Sequence, residues 1–344
     1  MKRFLAIILA FILLFCCGCS NNNNSTNDVR SELQVYFIDV GQADCALIIQ
    51  NGKSMLVDGG NVSDGPDVVR FIKSKNIDTL DVVVATHAHE DHVGGLATII
   101  DNFTVNKIYC PVNDYNSTCF DEFVDASNRQ CGITLCAKGD CWEIGAAKIN
   151  VLWPQNASNE ETNNTSIVFT LKYGKITYLF TGDAEKDVET RIINSGADIK
   201  ADVLKVGHHG SITSSSYYFL RTVMPQLAVI SCGKDNSYGQ PHKEVLERYL
   251  QAEITVYRTD ELGTVCISTD GEKLTAKCGG NVQEVNVVSA TPGLQPTSYI
   301  GNKSSKKFHL SSCKSLPKEE NRVTFESREE AINSGYSPCR SCQP

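Results

Sequence analysis

The 344-residue sequence has no apolar run long enough to cross a bilayer. Its one pronounced run, residues 4–15, is twelve residues long, where about twenty are needed. An excess of positive charge is also missing. The formal net charge is −8, which argues against a surface coated for nucleic-acid binding. Histidine is scarce too: there are seven, and none lies between His92 and His208. That scarcity makes their placement informative. All seven (His87, His89, His92, His208, His209, His242 and His309) fall in short chemistry-bearing motifs, whereas random usage would scatter some over the surface.

The chain does have apolar residues enough, at 41%, to bury a real core in one large domain or two. Lys2 and Arg3 before the run 4–15 read as a secretory signal. Cys17-Gly18-Cys19 then resembles a bacterial lipoprotein cleavage box, with Cys16 where a leucine is usual. The expectation is a signal peptide over 1–19 and a polar linker over 20–32. The protein would sit on the extracellular face of the cell membrane, held by a lipid anchor only, with plain secretion as the alternative. Charge is uneven. From Gly301 onward eight Lys/Arg face five Asp/Glu, a net of +3, and the middle of the chain is strongly acidic.

Cysteine is abundant, at fifteen. Cys16 and Cys17 would leave with the signal, Cys19 would be acylated, and Cys313, Cys339 and Cys342 belong to a C-terminal motif. Nine remain, and outside the cytoplasm some would pair, those in the segment 110–141 first.

Residues 86–95 read Thr-His-Ala-His-Glu-Asp-His-Val-Gly-Gly and follow the strand-like Val82-Val83-Val84. Imidazole is the commonest metal ligand, and nitrogen with carboxylate suits zinc, manganese or iron. His87 and His89 leave a strand end on the same side and can grip one metal. Asp91 and His92, on the turn that follows, can grip a second. Three more segments end a strand on a metal-type or small polar residue: Leu56-Val57-Asp58-Gly59-Gly60, Phe180-Thr181-Gly182-Asp183, and Leu204-Lys205-Val206-Gly207-His208-His209-Gly210-Ser211. Taken alone, Asp183 reads as a helix N-cap, Asp58 as a turn residue, and Asp39 and Asp44 as Asx-turn residues.

Periodicity predicts strands over 33–39, 45–50, 54–58, 80–85 and 107–110, with helices over 66–75, 94–102 and 120–129. The same grammar recurs in strands over 148–152, 166–173, 176–180, 201–205 and 227–231. Helices over 184–194, 214–223 and 243–252 accompany them, and a strand pair near 255–257 and 264–268 closes the unit. Two similar α/β halves suggest two sheets packed face to face with helices outside. Residues 33–278 would form this domain, 279–297 a linker and 298–344 a small module.

These motifs together resemble the metallo-β-lactamase superfamily. Phe37-Ile38-Asp39-Val40-Gly41-Gln42-Ala43-Asp44, Asn163-Asn164-Thr165-Ser166 and Asn236-Ser237-Tyr238-Gly239-Gln240-Pro241-His242 narrow the resemblance to the hydrolase domain of ComEC-type competence proteins. The resemblance implies an αββα sandwich and two divalent ions, Zn or Mn. His87 and His89 would hold one, Asp91 and His92 the other, and Asp183 would bridge them. His209 would complete the second site. Asp58 would orient the histidine loop. Asp91, His208, His242 and Lys205 are the catalytic candidates. Relatives often carry a further histidine before the bridging aspartate; here Asn163, Asn164 and Ser166 occupy that stretch.

The C-terminal His309-x3-Cys313 and Cys339-x2-Cys342 have structural-zinc spacing, four ligands with no open position. The stretch resembles the Ada-type zinc-binding module, with His309 in place of a first cysteine. A disulfide is the competing reading. A piece of roughly 45 residues has too little core to fold without such a staple. Lys303, Lys306, Lys307, Lys314 and Lys318 either touch polyanions or form a solvated face.

The expected function is a surface-tethered, metal-dependent phosphodiesterase acting on extracellular DNA, as a stand-alone hydrolase and not a transporter. The alternatives are a phosphocholine esterase or lactonase, for which the segment 110–141 would be the substrate lid, and a non-enzymatic surface binding protein.

Overall fold

A computed structural model describes residues 31–279, 281–285, 298–310, 313, 315–326, 328–339 and 342. The expected signal peptide, the Cys19 anchor, most of the linker and Lys314 lie outside the described residues. No helix among the described residues is long and apolar enough to cross a membrane.

Two sheets face each other. The first has nine strands, in the order Asn281–Val285, Leu274–Cys278, Val265–Thr269, Leu33–Phe37, Ala46–Gln50, Lys53–Val57, Val82–Val84, Ile108–Cys110 and Ile133–Leu135. The second has seven: Thr255–Arg258, Leu227–Ile230, Val203–Lys205, Ile176–Phe180, Val168–Tyr173, Ala147–Trp153 and Cys141–Ile144. Side chains alternate between the faces of a strand. Leu33, Val35 and Phe37 therefore meet Ile149, Phe169, Tyr178 and Phe180 between the sheets. Phe169 stacks on Phe180 at 4.8 Å between ring centroids, and Phe180 lies 6.0 Å from Phe37. Phe169→Ala is expected to cost about 3–5 kcal/mol, read as a lower denaturant midpoint.

Helices cover both outer faces. On the first sheet lie α1 (Gly65–Ser74), α2 (Glu90–Val93), α3 (Leu96–Asn102) and α4 (Thr118–Gln130). Val68, Val69 and Ile72, an apolar stripe on α1, pack with Leu96, Ile99 and Phe123 over the outward side chains Leu47, Leu56 and Val83. Val82–Val84 are all buried because this parallel strand is covered on both sides. On the second sheet lie α5 (Lys186–Asn194), α6 (Tyr217–Val223) and α7 (Lys243–Gln251). Their Val188, Ile192, Phe219, Val223, Val245 and Tyr249 pack over Leu179, Leu204 and Ile230. This is the αββα sandwich. A short α8 (Thr259–Leu262) follows the last strand of the second sheet.

Four expectations need correction. The helix expected from 214 starts only at Tyr217, because the Ser215 and Ser216 amides donate to the buried Glu189 carboxylate at 2.5 and 3.0 Å. Most of the segment 110–141 is wall and not lid: its strands Ile133–Leu135 and Cys141–Ile144 form the outer edges of the two sheets and α4 lies on the first, while Tyr115 approaches the His89 ring edge-on at 6.1 Å between centroids. Its cysteines do not pair: none of Cys110, Cys119, Cys131, Cys136 and Cys141 forms a disulfide. Cys110 belongs to the core under the helices and Cys136 to the core between the sheets, so the sheet itself separates them. Finally, Asn281–Val285 lies in the stretch read as linker but pairs antiparallel with Leu274–Cys278. Gly279-Gly280 between them is a hairpin signal.

The tail module is a four-stranded sheet of Arg322–Phe325, Tyr299–Asn302, Lys307–His309 and Ser337–Pro338 with α9 (Arg328–Asn333). Tyr299, Phe308, Phe325 and Tyr336 form its core. It rests on α6: Tyr217 packs against that core, Arg221 donates to the Tyr299 hydroxyl at 2.8 Å, and the Arg328 guanidinium lies 4.0 Å over the Tyr218 ring.

Candidate metal centre

The centre is assembled where strands of both sheets end. Val82–Val84 delivers Thr86 and His87, and His89 stands at the N-terminus of α2, which carries Asp91 and His92. Gly95 lets this loop pack tightly: a Cβ there would lie 2.1 Å from the Gly59 carbonyl oxygen. Asp58 fixes the loop from beneath. It accepts from the Thr86 amide at 2.7 Å, the Thr86 hydroxyl at 2.8 Å and His92 Nδ1 at 2.8 Å. The His92 proton is thereby placed on Nδ1, leaving the Nε2 lone pair for the centre.

Asp183 follows the strand Ile176–Phe180, and its amide donates to Ser166 Oγ at 2.9 Å. Its Oδ1 is 3.3 Å from His92 Nε2. Its Oδ2 is 3.9 Å from His87 Nε2, 3.7 Å from His208 Nε2 and 3.8 Å from His209 Nε2. His87 Nε2 and His89 Nδ1 lie 3.1 Å apart. His209 Nδ1 donates to the Ser231 carbonyl at 3.0 Å, which turns Nε2 to Asp91 Oδ2 at 3.1 Å. His208 and His209 both have left-handed backbones, with φ near 51°.

Electrostatics matches this geometry. Burial pushes the His87 pKa well down, so that ring is neutral and free to ligate. Burial also works against charge on His209, yet Asp183, Asp44 and Asp91 outweigh it and raise its pKa to about 10. Asp91 is opposed by burial too, but His92 and His209 bring it down to about 2. A cation bound among these carboxylates would replace the protons that they hold on His92 and His209.

The donor set fits one. Asp91, His92, Asp183 and His209 bring ligand atoms within 4.8 Å of one another. His92 Nε2 and Asp183 Oδ1 are buried without a hydrogen-bond partner, which an isolated protein would avoid. His87, His208 and His209 reach the other oxygen of Asp183, and His89 lies beside His87, so this carboxylate is ringed by nitrogen donors. In the tail, His309, Cys313, Cys339 and Cys342 converge within 4.8 Å in the same way, with His309 Nδ1 3.3 Å from Cys313 Sγ. Burial, with Cys313 and Cys339 alongside, pushes the Cys342 thiol up, and a bound cation would reverse that.

Two candidates have other places. His242 caps α7, and its Nδ1 accepts the Ile212 amide at 3.1 Å, not a group of the cluster. Lys205 was expected among the catalytic groups. It is buried, with its ammonium on Asp44 Oδ2 at 2.8 Å and the Val206 carbonyl at 3.1 Å, because its strand ends under the centre and not at the surface. Sequence reading did not single out the Ser231 carbonyl, Thr86 or Thr213, whose hydroxyl lies 3.1 Å from His208 Nδ1. A carbonyl has no sequence signal, and threonine after a strand is unremarkable.

An αββα sandwich with a histidine–aspartate centre at its strand ends defines a metal-dependent hydrolase. Residues 38–234 match the metallo-beta-lactamase superfamily and 286–344 the metal binding domain of Ada. The chain belongs to the metallo-β-lactamase superfamily, with a hydrolase domain of the ComEC competence-protein type and an Ada-type zinc module behind it. ComE operon protein 3 of Bacillus subtilis (strain 168) is 33% identical over 257 residues, covering 69% of this chain and 33% of that protein. Recombination protein 2 of Haemophilus influenzae is 32% identical over 249 residues, covering 70% and 29%. The chain thus spans about a third of the length of the curated relatives it matches. Among solved structures, the metallo-beta-lactamase fold protein YhfI of Bacillus subtilis aligns over 74% of this chain and all of its own, at 13% identity and a TM-score of 0.49.

Proposed function

We propose that the protein is a two-metal phosphodiesterase that cleaves DNA outside the cell, tethered through a lipid on Cys19. The observation that carries this is the placement of Asp183, whose carboxylate stands within 4 Å of His87, His92, His208 and His209. A pair of divalent ions there would supply an activated water and stabilise both oxygens of a phosphoryl displacement. The protein's own contribution is rigidity: Asp58 and the Ser231 carbonyl fix the tautomers of His92 and His209. His208, more open than His209, is placed to meet substrate. The names of the relatives, a recombination protein and a competence protein among them, favour DNA as that substrate. Most of 110–141 is built into the sandwich, which weakens the support for the esterase and lactonase readings.

The test is purified protein, stripped of metal and reloaded with Mn²⁺ or Zn²⁺, on single- and double-stranded DNA, RNA and glycerophosphocholine. Cleavage of DNA that stops with chelator is expected. Binding through the tail lysines should weaken steeply with salt. Turnover of glycerophosphocholine alone would sink the DNA reading, and no turnover of any substrate would favour a binding protein.

A further inference from the structure

Asp44 and Lys205 are 161 residues apart in sequence and both nearly fully buried, at 4% exposure each. Lys205 Nζ holds Asp44 Oδ2 at 2.8 Å. The other oxygen, Oδ1, has no hydrogen-bond partner and lies 3.4 Å from His209 Nδ1. The N–H of His209 therefore points between two acceptors, the Ser231 carbonyl and Asp44. The backbone of Asp44 reaches the centre as well. Its amide donates to the Asp91 carbonyl at 3.0 Å, and its carbonyl accepts the Gly60 amide at 2.9 Å, beside Asp58-Gly59.

We propose that Asp44 and Lys205 are a positioning pair for the cation held by Asp91, His92, Asp183 and His209. Asp44 fixes His209 and the backbone of Asp91, and Lys205 acts through Asp44 without touching substrate. The inference rests on the metal reading above, and its test reads the cation directly, with no phosphodiester present.

The reason for a lysine is charge. Asp58, Asp91 and Asp183 already put three carboxylates at this spot. A fourth, bare and buried, would be costly. Lys205 cancels it, so the centre gains an acceptor for the His209 N–H without gaining net charge. A void of about 10 Å³, lined by Asp44, Asp58, Thr86, Gly182 and Lys205, leaves no more room than a single water needs. A plain structural ion pair would explain the burial but not the aim of Oδ1 at His209.

Three variants separate the two roles: Asp44→Asn, Lys205→Met and the double variant. The full chain is titrated with Mn²⁺, followed by the electron paramagnetic resonance of free ion. The tail thiolates disfavour this metal. Each single variant should weaken one Mn²⁺ site by about 10–100-fold and lower the denaturant midpoint. The double variant carries no uncompensated charge. It should recover the midpoint while its Mn²⁺ site stays weak. Recovery of both, or wild-type Mn²⁺ affinity in Asp44→Asn, would show a merely structural pair. If the wild-type protein itself takes up no Mn²⁺, the metal reading falls, and this role with it.

Discussion

Asp183→Ala should lose both active-site ions and slow phosphodiester cleavage by about 10³-fold or more, about 4 kcal/mol of transition-state stabilisation. The side chain stands within 4 Å of His87, His92, His208 and His209, and no other described carboxylate reaches all four. Removing it also relieves the burial of a charge, so the fold should survive with unchanged circular dichroism. Asp91→Ala and His89→Ala should abolish cleavage too, each with loss of one ion and not two. Elemental analysis distinguishes these outcomes, and a fully active Asp183→Ala protein would refute the two-metal centre. Acid should act in the same direction. Metal must displace protons from His92 and His209, whose pKa values the carboxylates raise, so metal uptake releases protons and tightens as pH rises. In the metal-free protein the sign is opposite. The stability from charged His209 is fully present below its usual 6.5 and fades as pH rises through about 10.

Cys339→Ser is expected to unfold the tail module while leaving the sandwich folded. Metal at a closed four-ligand site contributes about 10–16 kcal/mol of binding free energy in small zinc domains, far more than the six-residue core of Tyr299, Phe308, Leu310, Phe325, Ala331 and Tyr336 can replace. Zinc content should fall by one per chain, and trypsin should cut the unfolded module after its lysines. Because the module rests on α6, the melting temperature of the sandwich should drop by a few degrees, while turnover of a small phosphodiester persists. Protease resistance in Cys339→Ser with zinc retained would contradict this.

Much of this molecule is legible in its sequence. Strand and helix periodicity yield the two covered sheets, and the histidine motifs bring five of the seven histidines to one place. What stays hidden is long-range. Lys205 follows an apolar strand and looks like an exposed cation, and nothing near it in sequence reveals Asp44. Asp44 itself reads as a turn residue until His209 is seen 3.4 Å away. The docking of the module on Tyr217, Tyr218 and Arg221 is equally silent, since aromatics at the start of an amphipathic helix look like ordinary core. Glu189 delays α6 through two backbone amides 26 and 27 residues on, which no local propensity encodes.

The left-handed backbones of His208 and His209 set selection for folding against selection for activity. Non-glycine residues in that conformation cost of order 1–3 kcal/mol each, and glycine would be free of the cost. In a mutant library screened only for thermal tolerance, glycine should be enriched at both positions. Screened for catalysis, the same library should discard it. These two sites mark where the protein has traded robustness for chemistry, and a stabilised variant chosen without an activity assay would be drawn toward erasing the pair.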